Sequence, residues 1–393
     1  MHTVDAAGLG IGDDHPTRVM GVLNISEESP YKPSVFDDPG EAAAYVDEQL
    51  VGEGADIVDV GLESANKKFD VLSAEQELDR LDTAIETIES VSGDAIFSIE
   101  TRYHEVAEAA LDRGFDMVND IAGFADPEMP AVCREYDAAV AKMASPPDLT
   151  RPGAVEETDW AARRSAEWAE SADYVDQVYE ALKQHGFTDK TLVDPAFGRW
   201  SEAQTVEGDR EAFRRLREFR GLGRPMLVSI NRKTFLRTLA GRDTEQALSV
   251  SLAATSMAIE RGAHVIRTHD VAETRDAARI GDAFTPERVR DDAVGVEQLD
   301  IRTVGDARRH LERIEADASV SEDAITHVFE VRGLSAADSQ RLGAAAEAFG
   351  AALGRGESGD LLVGTPAALS ALKRDLADDD TLGSVVSAVA DEI

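Results

Sequence analysis

The chain has 393 residues, 77 of them acidic and 40 basic, for a formal net charge of -37 at pH 7. That length exceeds one average domain and fits a barrel of about 250 residues with a smaller unit beside it. Such acidity argues against nucleic acid as a partner, because phosphate backbones repel it.

Only eight of the basic residues are lysine, and the acid is spread along the chain. This is the surface expected of a protein from a halophilic host, where salt screens most of the self-repulsion. Cys133 is the single cysteine, which excludes an intrachain disulfide and a cysteine-built metal site. The opening "MHTVDAAGLGIGDDHP" has neither a basic stretch nor an apolar one, and no apolar run approaches the roughly 20 residues of a membrane span. The expectation is a soluble, cytoplasmic protein.

In chain order, residues 1–17 read as an N-terminal extension. Eight short apolar runs follow: "RVMGVLNIS" (18–26), "DIVDVGLES" (56–64), "AIFSIET" (95–101), "DMVNDIAG" (116–123), "AAVAKMAS" (138–145), "TLVDPAF" (191–197), "PMLVSINR" (225–232) and "HVIRTHD" (264–270). The segments between them, such as "DPGEAAAYVDEQLVGEG", carry apolar residues at helical spacing and stop on glycine. Eight strands alternating with helices predict a (β/α)8 TIM barrel over 18–284. A doubly wound sheet is the alternative, but no GxGxxG follows the first strand. Residues 285–297 are polar and read as a linker. From 298 to 393, "QLDIRTV", "HVFEVRGL" and "GDLLVGT" read as strands among Ala-rich helices, a small C-terminal α/β domain with a structural or assembly role.

In such a barrel the chemistry gathers where the strands end. The strand ends offer Asn24, Glu63 with Ser64, Glu100, Asn119 with Asp120, Lys142, Asp194, Asn231-Arg232-Lys233, and Arg267 with His269. An Asn or Asp closing a strand is more often a turn or cap residue, and Asp120 and Asp270 are assigned to that role. Glu100, Asn119 and Asp194 suit a flat heterocycle with amino and ring N–H donors. Lys233, Arg267 and His269 suit a carbonyl oxygen and phosphate. Asn24 suits a Mg2+ resting on phosphate oxygens.

Together the segments "VMGVLNIS", "GADIVDVGLES", "FSIET", "DMVNDIAG", "DPEM", "LVDPAFG", "RPMLVSINRKTF" and "VIRTHDVAETRDA" resemble the dihydropteroate synthase family, in its order and spacing, over about residues 18–284. "NISEESPYKPSV" and "VIRTHDV" look closest to the archaeal branch. The family condenses 6-hydroxymethyl-7,8-dihydropterin diphosphate with p-aminobenzoate, giving dihydropteroate and diphosphate on the way to folate. The resemblance implies that Glu100, Asn119 and Asp194 bind the pterin and Lys233 contacts its carbonyl. It further places Arg267 and His269 at the diphosphate, Asn24 at the Mg2+, and Thr234 at the p-aminobenzoate carboxylate, with Arg232 among the substrate-binding residues. Lys233, Arg267, His269 and Glu100 are the expected catalytic set, since charge separates as diphosphate leaves.

Three positions depart from the family pattern. Glu100 stands where the family has an aspartate. Ala65-Asn66 replaces the usual Thr-Arg, with Lys67 or Lys68 as the substitute charge. Tyr31 stands in the usual Phe region and is expected to do the stacking, with Lys32 expected to face the phosphates. A non-catalytic or altered-substrate pterin-binding paralogue is the alternative. A methyltetrahydrofolate-binding methyltransferase is disfavoured because it needs no diphosphate clamp of the Arg232-Lys233 and Arg267-x-His269 kind. Dimerisation through the apolar "EQALSVSLAATSMAIERG" is compatible with the sequence.

Overall fold

The structure, a computed structural model, describes residues 2–26, 32–64, 71–145, 158–198, 204–291 and 293–390. It divides into two compact units, Met1–Glu287 and Arg288–Ile393. The first unit opens with an antiparallel hairpin, β1 (Val4–Ala6) and β2 (Leu9–Ile11). Eight parallel strands follow: β3 (Arg18–Asn24), β4 (Ile57–Gly61), β5 (Ile96–Thr101), β6 (Met117–Asp120), β7 (Ala139–Met143), β8 (Thr191–Asp194), β9 (Leu227–Val228) and β10 (Val265–Thr268). Their order is β8-β7-β6-β5-β4-β3-β10-β9, and a parallel bridge between Val193 and Met226 closes the ring. The TIM barrel expected from the alternation is therefore present.

Helices α1 (Pro39–Tyr45), α2 (Ala74–Ser90), α3 (His104–Asp112), α4 (Met129–Glu135), α5 (Trp160–Arg163), α6 (Ala166–Ser171), α7 (Tyr174–Lys183), α8 (Val206–Arg214), α9 (Thr234–Ala240), α10 (Leu248–Glu260) and α11 (Val271–Phe284) lie between and after the strands. Their starts are locally encoded. Ser73 and Asp173 form capping boxes on α2 and α7, and the Thr205 hydroxyl accepts from Gly208 N–H to open α8.

The period-2 alternation of each strand decides what reaches the barrel interior. On β4, Val58 and Val60 pack outward into the main core with helix residues such as Leu50 and Leu81. Ile57, two residues before Asp59 and four before Gly61, faces inward with Met20, Met117, Ala139, Leu192, Leu227 and Val265. These residues sit at the N-terminal ends of their strands, and Val4, Ala6 and Ile11 of the hairpin join the same cluster. The hairpin thus plugs the bottom of the barrel and leaves the opposite mouth to polar groups.

The second unit begins with a short antiparallel pair, β11 (Arg290–Asp291) and β12 (Val296–Glu297), inside the stretch that reads as a linker. Helix α12 (Val304–Arg313) follows, then β13 (His327–Val331), α13 (Ala336–Ala348), β14 (Ala352–Arg355), β15 (Asp360–Gly364), α14 (Pro366–Asp375) and α15 (Leu382–Ala390). The sheet is antiparallel in the order β13-β15-β14. "QLDIRTV" is not a strand, contrary to expectation. The Asp306 carboxylate accepts the backbone N–H groups of Arg302 and Thr303 at 2.9 and 2.8 Å, so those donors serve the cap of α12 rather than a sheet ladder. The unit has its own core, in which Leu342, Leu362, Leu369, Leu372, Leu382 and Val386 are buried.

Candidate active site

Strand alternation brings Asp59, Ser98, Glu100, Asn119 and Arg267 to the interior above the apolar plug. Glu100 and Asn119 are partners in register, as are Gly61 and Glu100. Arg267 is clasped by two carboxylates. Its Nε donates to Asp59 Oδ2 at 2.7 Å and its Nη2 to Glu100 Oε2 at 2.5 Å. Asn119 Nδ2 donates to the same Asp59 oxygen at 2.9 Å. Burial works against the charge on Arg267, but Glu100 and Asp59 more than offset it and raise its pKa. Burial raises the pKa of Glu100, and Arg267 acts in the opposite direction.

The second part of the site comes from β8 and the loop after β9. Asp194 ends β8, where its Oδ1 accepts from Ala196 N–H at 2.8 Å. Burial pushes its carboxyl up to about 6, with that N–H, Lys233 and Arg267 pulling downward. Lys233 stands at the N-cap of α9 and lies over Gly198. A Cβ at Gly198 would stand 2.9 Å from Lys233 Cδ and 3.0 Å from Nζ, and the backbone there has φ of 116°. Only glycine accepts both constraints. Burial pushes Lys233 down to about 8, while Asp194, Asp209 and Glu100 favour its ammonium and Arg267 opposes it.

Behind this loop Phe197 packs on Phe235 and Phe213, with ring centroids 5.6 and 6.0 Å away. Asp209 on α8 accepts from Gln204 Nε2 at 2.5 Å, and Gln204 also donates to the Ala196 carbonyl at 2.9 Å. Thr234 opens α9, and its hydroxyl accepts from Arg237 Nη2 at 2.9 Å.

The third part joins β3 to β10. Asn24 Nδ2 donates to Ser34 Oγ at 3.0 Å, and Ser34 Oγ lies 3.3 Å from His269 Nδ1. With its nitrogen so engaged, Asn24 offers its carbonyl oxygen, which lies 3.2 Å from where a Cβ at Gly61 would stand. Burial drives His269 down to about 3, and Arg267 beside it adds to the effect. Both effects disfavour a proton on the imidazole, which keeps a hydrogen-bonding nitrogen at this end of the site.

Arg232 has φ of 53°. It forms a two-pronged pair with Asp270, Nε to Oδ2 at 2.8 Å and Nη2 to Oδ1 at 2.9 Å, and its Nη1 donates to the carbonyls of Thr244 and Glu245. Asp270 also accepts from Asn231 at 2.8 Å. Arg232 thus braces the loop that presents Lys233.

Two residues at strand ends leave the site. Lys142 follows the outward phase of β7, its neighbours Ala139 and Ala141 facing inward. It donates to the carbonyls of Leu182, Gln184 and Gly186 at the end of α7, and its Nζ lies 4.8 and 5.1 Å from the ring centres of Phe124 and Phe187. Glu63 pairs with the buried Arg102 at 2.5 Å and accepts from Leu72 N–H at 3.0 Å. Asp120 is the turn residue expected, accepting from Ala122 and Phe124 N–H. Tyr31, Ala65, Asn66, Lys67 and Lys68 lie outside the described residues.

Sequence reasoning missed Asp59, Ser34, Gly198 and Asp209. For Asp59 a signal existed: a carboxylate inside the apolar run "DIVDVG", two residues from Gly61 and so on the same inward face. Gly198 closes the "LVDPAFG" segment, but its role appears only when Lys233 is seen to cross it.

A closed (β/α)8 barrel whose mouth gathers carboxylates, amides and cations from different strands defines a small-molecule site, suited to a flat, hydrogen-bonding ligand that carries negative charge. The chain belongs to the pterin binding enzyme family, whose family model matches residues 20–269. It is 33% identical over 267 residues to a Halobacterium salinarum protein named as a probable bifunctional folylpolyglutamate synthase/dihydropteroate synthase. That match covers 68% of this chain and 31% of the relative, so the chain spans about a third of that relative's length.

Among solved structures it resembles Clostridium difficile dihydropteroate synthase in the presence of pteroic acid, at 28% identity and a TM-score of 0.58, covering 70% of this chain and 97% of that one. It also resembles the Thermus thermophilus dihydropteroate synthase in complex with 4-aminobenzoate, at 28% identity and a TM-score of 0.55, covering 72% and 99%. The family expected from the motifs is the one these comparisons return. Among the described residues no helix is long and apolar enough to cross a membrane.

Proposed function

We propose that the protein is a dihydropteroate synthase, joining 6-hydroxymethyl-7,8-dihydropterin diphosphate to p-aminobenzoate. The observation that carries this reading is the meeting at one barrel mouth of Asn119, Asp194, Lys233 and Arg267, from four different strands or their loops, in a chain of the pterin binding enzyme family. Asp194, in its ionised form, and the Asn119 amide oxygen accept from the N–H edge of the pterin. Lys233 donates to its carbonyl.

The bond from the pterin methylene to oxygen breaks with its electron pair leaving on diphosphate. The amine nitrogen then captures the methylene cation and loses a proton. The carboxylates near the pterin stabilise positive charge developing there, and Lys233, Arg267 and His269 stabilise the leaving group. Thr234, opening α9, holds the amine's carboxylate in this reading.

The residues at Asn24 fit a Mg2+ that is held mainly by phosphate oxygens and water. Asn24 contributes one hard amide oxygen, and the one group of three potential His, Cys, Asp or Glu ligands among the described residues, His104, Glu105 and Asp126, belongs to α3 and the turn before α4. When bound, Mg2+ would neutralise charge on the diphosphate. A homodimer through α10 and α11, where Met257, Ile280 and Phe284 are exposed, is part of the same proposal.

The test is diphosphate release in molar KCl with Mg2+, with and without p-aminobenzoate. Amine-dependent release with dihydropteroate formed is the expected result. Pterin diphosphate that binds and does not turn over would overturn the synthase reading in favour of a binding protein.

A further inference from the structure

Asp59 is a carboxylate that the reaction as proposed leaves without a part. It is fully buried on β4, and one oxygen, Oδ2, holds both Arg267 Nε and Asn119 Nδ2. Those residues lie on β10 and β6, each one strand removed from β4 in the ring. Its other oxygen, Oδ1, is buried and makes no hydrogen bond among the described residues, and the same holds for the Oγ of Ser98, its partner in register. A carboxylate kept only to knit the barrel would use both oxygens, because burying an unpaired acceptor is costly.

The geometry has two consequences for a ligand. A carboxylate can only accept, so Asp59 decides which way round the Asn119 amide sits: nitrogen on Asp59, oxygen left for an incoming N–H. Asp59 and Glu100 together occupy Nε and Nη2 of Arg267, so the guanidinium is fixed at the barrel mouth and meets a leaving diphosphate as a positive charge rather than as a two-pronged fork. We propose that Asp59 is a positioning residue for heterocycle recognition, fixing the polarity of the Asn119 amide and the place of Arg267. This rests on the reading of the site as a pterin pocket.

The test is calorimetry on the full chain in molar KCl with Mg2+, using 6-hydroxymethyl-7,8-dihydropterin with and without its diphosphate. Asp59→Asn keeps the shape but lets the Asn119 amide turn over. It should weaken both ligands about tenfold or more and by similar factors, since they share the heterocycle. In steady-state assays the KM for the pterin diphosphate should rise by a similar factor, with the KM for p-aminobenzoate unchanged within about twofold, whereas general loosening of the barrel would raise both. In an Asn119→Ala background the same change should cost markedly less, because part of its effect passes through that amide.

Should Asp59→Asn leave Arg267 unpaired and the chain unfolded, the charge-balanced Asp59→Asn/Arg267→Gln variant is compared with Arg267→Gln alone. A further loss of about threefold or more supports the proposal, because Asp59 still sets the Asn119 amide in the Arg267→Gln background, and equal affinities overturn it. Wild-type protein that binds neither ligand refutes the pterin reading itself. Wild-type protein that binds, with Asp59→Asn unchanged, refutes the role of Asp59 alone.

Discussion

Lys233 and Asp194 stand close enough to shift one another, and the signs of their shifts set a pH window. Asp194 must be ionised to accept an N–H, and burial has moved its pKa from 3.8 up to about 6. Lys233 must be an ammonium to donate to a carbonyl with full charge, and burial has moved it from 10.5 down to about 8. The proposed activity should therefore rise through about 6, peak, and fall through about 8, and kcat/KM for the pterin diphosphate reports those limbs in the free enzyme. Lys233→Ala should lower kcat/KM on the order of 100-fold and abolish the alkaline limb. An alkaline limb unchanged in that variant would assign it to another group.

Most of this site could be read from strand ends, because a barrel sends its last inward residue to the mouth whatever the loops do. What could not be read were groups whose meaning depends on a partner far along the chain. Asp59 and Arg267 are 208 positions apart, and nothing local marks them as a pair. His269 was legible as a strand-end residue but its lowered pKa was not, since that comes from burial and from Arg267 beside it.

At the scale of elements, the side on which a strand residue falls decides between chemistry and architecture. Lys142 and Asp194 both close apolar strands, yet Asp194 points inward while Lys142 crosses to α7 and donates to the carbonyls of Leu182, Gln184 and Gly186 at and beyond the helix end. Lys142→Met keeps the length and the contact with Phe124 and Phe187 but strands those carbonyls. It should cost on the order of 1–2 kcal/mol of stability, because the Leu182 carbonyl is buried and loses its partner while those of Gln184 and Gly186 reach water. In molar KCl the melting temperature should fall by roughly 2–4 °C, while affinity for the proposed pterin ligand stays the same. Loss of pterin binding at an unchanged melting temperature would instead return Lys142 to the site. The eight barrel strands were legible because buried parallel strands are continuous apolar runs bounded by turn residues. "QLDIRTV" has the run but not the freedom, since Asp306 takes its backbone donors into a helix cap. The short β14 escaped notice because "ALGR" carries almost no apolar signal.

For the whole molecule, charge is the governing influence. Seventy-seven acidic residues against 40 basic ones leave 37 carboxylates with no cation to answer them, even if every Lys and Arg were paired. Many of the ion pairs that do form are exposed, as in Arg113 with Asp82 and Arg279 with Asp276, and exposed pairs contribute little. Repulsion among the remaining carboxylates acts over about 10 Å at 0.1 M salt but only about 3 Å at 1 M. The unfolded chain spreads the same charge over a larger volume, so screening relieves the folded state more. Raising KCl from 0.1 to 1 M should therefore raise the melting temperature, steeply at first and then levelling off once the screening length falls below the distance between neighbouring carboxylates. The same gain should appear with NaCl at equal ionic strength and be absent with a neutral osmolyte at equal osmolality. A melting temperature that is flat across that salt range would mean that the acidic surface does not govern stability, and that the core of the barrel carries the fold unaided.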